Sequence, residues 1–227
     1  MKSASTPTRD RILQAAYDLF YAKGFSRVGV DAVAESAGLT KRTLYQHFRS
    51  KDDLLAAVLD RQSGFALASI EGWGRRLPED CSGFVQQLFR DAARWASRPK
   101  WAGAGFTRLA MELADLPGHP ARGVARRHKA AVEAWLCTEL MRRGVRNADE
   151  ASRELTVLLE GCLALILIHG KRDYAIAAAR AASKLVGMEG VQPVNPARIG
   201  RGAGDRVASA SRLVSSGTGR SRRKQST

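Results

Sequence analysis

Between Gly38 and Ser50 the chain has room for only about two turns of helix. That confinement limits the fold more than any other feature. Gly38 suits a tight turn that needs positive φ. Thr40 is a good cap for a helix over Lys41–Phe48. Ser50-Lys51-Asp52-Asp53 matches the S-x-x-[DE] capping pattern and starts the next helix. Within the short helix, Leu44 and Phe48 fall on one face and can enter a core. Lys41, Arg42, Thr43 and Gln46 fall toward the exposed side. A short, basic helix between two turns fits the major groove of DNA, where side chains can reach base edges.

The rest of the chain also reads as helix, so an all-α fold is expected. Thr6 or Thr8 can cap a first helix, with Pro7 in its first turn. Ile12, Ala15, Ala16, Leu19 and Phe20 then follow an amphipathic period until Gly24. Val30–Ala37 forms a second helix, and a long fourth one carries Leu54, Leu55, Val58 and Leu59. Five more are expected at Ser82–Ala96, Gly103–Leu113, Ala121–Arg143, Asp149–His169 and Tyr174–Val186. The expected layout is a helix-turn-helix module over 1–51, a larger helical domain over 52–190, and a tail over 191–227.

Charge is concentrated at the end of the chain. The net charge is +15, and residues 191–227 hold eight basic residues against Asp205 alone. Gly, Ser, Arg and Ala dominate there without an apolar period, so a disordered basic tail is expected. It serves either as a solubilising extension or as a non-specific hold on the DNA backbone.

Cys81, Cys137 and Cys162 lie far apart and are odd in number, which argues against a disulfide framework and a zinc knuckle. They are expected to be buried thiols. Residues 1–12 lack an apolar secretion signal, so a cytoplasmic location is expected. Leu155–Ile168 is short for a bilayer span and carries Glu160. No nucleophile elbow, phosphate loop, zinc-protease or dinucleotide pattern occurs, and the four histidines have no ligand spacing. No enzyme activity, metal or cofactor is expected.

The first fifty residues resemble the DNA-binding domain of the TetR family of transcriptional regulators. The resemblance runs through Arg11-Ile12-Leu13-Gln14-Ala15-Ala16, Leu19-Phe20 and Gly24-Phe25. It continues in Val30-Asp31-Ala32-Val33-Ala34, Ala37-Gly38-Leu39-Thr40-Lys41 and Thr43-Leu44-Tyr45-Gln46-His47-Phe48, then Ser50-Lys51 and Leu54-Leu55. It implies a homodimer that binds an operator and answers to a small molecule. Lys41, Arg42, Thr43 and Gln46 are the expected base contacts. Thr40 would favour phosphate through its helix N-terminus, and the resemblance assigns phosphate contacts to Tyr45, His47 and Lys51. Two positions depart from the family's habit. Gly29 stands where Ser or Thr often caps the second helix, and Arg42 stands where a small residue is common.

Two further expectations concern the larger domain. Trp101, Phe106, Met111 and Trp135 are either core residues or walls of a largely apolar effector pocket, with Glu112, Glu160 or His128 as polar groups. Leu155–Ile168 is apolar nearly all round, and the next helix is rich in alanine. By the resemblance these two helices form a dimer interface through Leu155, Leu159, Leu163, Ile166, Ala178 and Ala182; otherwise they form the core of a monomer. Two rival functions remain open: a non-specific DNA coat, and a small-molecule carrier with a vestigial DNA module.

Overall fold

The computed structural model describes residues 7–74 and 77–188. The expected tail over 191–227 and the polar start of the chain lie outside the described residues. The described residues form nine α-helices and no strand: α1 (Thr8–Lys23), α2 (Val30–Ser36), α3 (Lys41–His47), α4 (Lys51–Gly74), α5 (Cys81–Ala96), α6 (Gly105–Glu112), α7 (Pro120–Arg142), α8 (Ala148–His169) and α9 (Asp173–Met188).

The helix ends follow local chemistry. Thr40 Oγ1 accepts the Thr43 amide at 3.2 Å and caps α3. Ser50 Oγ accepts the Asp53 amide at 3.0 Å, and Asp53 Oδ2 accepts the Arg49 amide at 3.1 Å. The Ser50 half of the capping pattern is therefore made, while Asp53 reaches one residue further back, to the Arg49 amide rather than that of Ser50. Gly38 has φ 65°, and Arg11 Nη2 donates to the neighbouring Ala37 carbonyl at 2.6 Å, tying α1 to the end of α2.

Several expected ends shift by a residue or two. Pro7, rather than a threonine, occupies the N-cap of α1, with no side-chain cap. Asp80 caps α5 by accepting the Gly83 amide, which moves its start to Cys81. Gly103 has φ 93° and packs against Leu167, so it is a turn residue and α6 begins later.

Two apolar clusters organise the fold. The first joins α1, α2 and α3 through Ile12, Leu13, Ala16, Val33, Leu44 and Phe48, all buried. It does not stop at residue 51. Leu54, Leu55, Val58 and Leu59 of α4 belong to it, as do Leu109, Leu113, Ala121 and Val124 of the larger domain. The second cluster holds α5, α7, α8 and α9 together around Phe84, Phe89, Leu136, Leu140 and Leu155. The three cysteines are buried thiols, outside any disulfide.

Candidate functional site

The outer face of α3 is held from behind. Leu44 is fully buried and Phe48 nearly so, which anchors the short helix on α1 and α2. Lys41, Arg42, Gln46 and His47 are exposed, and Tyr45 is 44% exposed. Thr43 is half-buried, with its hydroxyl 2.9 Å from that of Thr40. Lys41 pairs with Asp31 at 3.1 Å, an exposed contact of the kind that is easily exchanged for phosphate. Arg42, Gln46 and His47 make no hydrogen bond or ion pair to another described residue. The expected base-contact residues are thus brought to one edge.

Lys51 is placed differently from a free phosphate ligand. Its ammonium lies 4.1 Å from the centre of the Phe25 ring and is half-buried. Burial lowers its pKa against the opposing pull of Asp52 and Glu112. Arg9, not singled out in the sequence, places its guanidinium 5.2 Å over the Phe48 ring at the end of α3.

Behind this module α1, α4, α5, α6, α7 and α8 enclose a cavity of about 430 Å³. Phe106 and Trp135 line it. Trp101 does not; it packs edge-on to Trp95, which does, at 5.7 Å. Met111 is 69% exposed and also lies off the wall, because it points outward from α6 while Leu109 and Glu112 point in.

Two polar groups of the cavity wall, Glu160 and His128, have protein partners. Lys129 donates to Glu160 Oε1, and Thr107 Oγ1 donates to Glu160 Oε2 at 2.5 Å. The His128 ring stacks on Phe106 at 3.7 Å, and its Nδ1 lies 2.9 Å from Ser63 Oγ. Burial, and then the Lys129 charge, push the His128 pKa down to about 4, outweighing Glu160. The ring is therefore neutral near pH 7. All three polar residues singled out in the sequence, Glu112, Glu160 and His128, are on this wall. Lys129, Thr107 and Ser63 were not foreseen, because their roles depend on partners far along the chain.

α6 also reaches the small module. Arg108 donates to the carbonyls of Tyr21 at 2.9 Å and Ala102 at 3.0 Å. Glu112 accepts the amides of Phe25 and Ser26. His119 caps α7 through Nδ1 and packs edge-on to Phe25 at 5.6 Å.

The expected dimer residues face inward. Leu155, Leu163, Ile166, Ala178 and Ala182 are buried in their own chain, and Leu159 lines the cavity. The face that α8 and α9 leave open carries Val157 (67% exposed), Ile168 (70%) and Ile176 (61%), with Leu165 and Gly161 between them. The correction has a simple cause. On a helix apolar all round, hydrophobicity does not say which side meets the chain's own core. Among the described residues no group of three or more His, Cys, Asp or Glu could hold a metal ion, and no helix is long and apolar enough to cross a membrane.

Comparison with known proteins agrees with this layout. The family profile described as "Bacterial regulatory proteins, tetR family" matches residues 12–58. The HTH-type transcriptional regulator UidR of Escherichia coli strain K12 is 38% identical over 68 residues, covering 30% of this chain and 35% of that protein. The HTH-type transcriptional activator FasR of Mycolicibacterium smegmatis is 45% identical over 53 residues, covering 23% and 24%. The chain therefore aligns with about a third or less of the length of these curated relatives. Solved structures extend the likeness to both domains. A TetR transcriptional regulator from Streptomyces avermitilis superposes with a TM-score of 0.71 at 29% identity, covering 82% of this chain and 100% of the other. A TetR-family regulator from Streptomyces coelicolor superposes at 0.68 with 26% identity, covering 80% and 95%. The short exposed helix α3, the two-cluster helical architecture and these relatives agree: residues 12–58 match the TetR-family DNA-binding domain, and the described residues share the fold of TetR-family transcriptional regulators.

Proposed function

We propose that this chain is a sequence-specific DNA-binding regulator, a repressor that acts in the cytoplasm as a homodimer on a palindromic operator and is released by a small, largely apolar effector. The observation that carries the reading is α3: Arg42 and Gln46 stand free on a helix whose other side is locked by Leu44 and Phe48. Arg42 grips guanine and Gln46 grips adenine in the major groove, with Lys41 and Thr43 beside them. Thr40, Tyr45 and His47 hold phosphates, and Lys51 joins them by swinging off Phe25.

The cavity supports the effector, since apolar walls with few polar groups suit such ligands. The open α8–α9 face supports the dimer, with Val157, Leu165, Ile168 and Ile176 as its contacts. A two-fold pair of reading helices needs two half-sites in inverted order. The effector acts by binding more tightly to a dimer whose reading helices are out of register.

Footprinting of genomic DNA selected with the purified chain tests this reading. A protected palindrome is expected. Uniform protection would support a DNA coat instead, and a retained ligand with no DNA binding would support a carrier. Ile168→Asp is expected to yield monomers by sedimentation and to remove the palindromic footprint.

A further inference from the structure

The loop that opens the reading module, Gly24–Gly29, is held from the other domain by one carboxylate. Glu112 ends α6 and lines the cavity. Its Oε1 accepts the Ser26 amide at 2.7 Å, and its Oε2 accepts the Phe25 amide at 3.2 Å. Gly24 has φ 85°, and a Cβ placed on it would lie 3.5 Å from both oxygens, so the loop fits closely around the carboxylate. Phe25 is buried and meets Phe20 of α1, Lys51 of α4 and His119 at the start of α7. The loop is thus a junction of the two domains. Burial opposes the Glu112 charge, but the Ser26 and Phe25 hydrogen bonds and the Arg108 guanidinium outweigh it and hold the carboxyl below the usual range.

We propose that Glu112 is a positioning residue for DNA reading: it belongs at once to the cavity wall and to the reading module, so a shift of α6 in the cavity loosens or re-aims α2 and α3 through the Phe25–Ser26 amides. The DNA arm of this proposal rests on the function proposed above. The contact itself does not.

The test compares wild type with Glu112→Gln in the full chain. Gln keeps the size but offers only one acceptor oxygen to two amides. Amide exchange should rise at least about tenfold in the peptide covering Phe25 and Ser26 and stay unchanged in α8. Affinity for the DNA that wild type selects should fall about tenfold at a temperature where both proteins are fully folded. Unchanged exchange at Phe25 and Ser26 overturns the proposal. So does an affinity within twofold of wild type, or a fall in affinity that tracks loss of folded protein, since a merely structural contact gives that pattern. If wild type selects no DNA, the DNA-binding reading fails and exchange alone decides the Glu112 contact.

Discussion

On α3, Arg42, Gln46 and His47 point outward without a partner among the described residues, whereas on the cavity wall Glu160 is bonded to both Lys129 and Thr107, and His128 is set against Ser63. Both regions place polar groups on an apolar frame, and they treat those groups in opposite ways. A surface that meets its partner in water can leave its donors unpaired, because water serves them until the partner arrives. On the partly buried wall water serves less well, and the Glu160 charge is met by Lys129 and Thr107.

Breaking a pair on the wall should give the largest effect. Lys129→Met leaves Glu160 charged on an apolar wall and should cost about 2–3 kcal/mol in chemical unfolding. Adding Glu160→Leu should restore most of it; a double variant as weak as the single would mean that packing, not charge, holds this wall.

On α3 the corresponding change should spare stability and strike recognition. Arg42→Ala should lose about 1–3 kcal/mol at one base pair per half-site, with relaxed preference there. Equal weakening on every sequence would reduce Arg42 to a phosphate contact.

Acid should separate the two regions again. His128 has a folded pKa of about 4, below its unfolded value, so the unfolded chain takes up the proton first. Its contribution to stability is full above the unfolded pKa and is lost as pH falls toward 4. The slope should approach about 1.4 kcal/mol per pH unit in that window, and His128→Asn should flatten it in a pH series of unfolding midpoints.

The smallest effect concerns the cap. Thr40→Ala should cost about 1 kcal/mol through the Thr43 amide, and Thr40→Ser should keep most of it.

The same contrast explains what the sequence discloses. The reading helix is legible because its logic is local. Gly38, Thr40, Leu44, Phe48 and Ser50 act on neighbours within a turn or two, and their spacing carries the geometry. The helix starts and stops are legible for the same reason, since Gly24, Gly144 and Gly170 all take positive φ at breaks. The cavity and the open face are only half legible. Nothing local tells Leu163, which is buried, from Leu165, which is exposed. Nor does local sequence reveal that Glu112 meets Phe25 and Ser26 across 87 and 86 positions of chain. Such contacts depend on how helices pack, and a helical period fixes only the faces available.

The length of α4 has one more consequence. Its 24 residues run from Lys51, at the foot of the reading module, past the cavity wall. At about 1.5 Å per residue the helix is a rod of about 36 Å, so a tilt of about 5° carries its far end about 3 Å, close to the rise of one base pair. Under the function proposed above, a tilt of that size, set by the cavity lining on α4, is enough to move α3 by about one base pair.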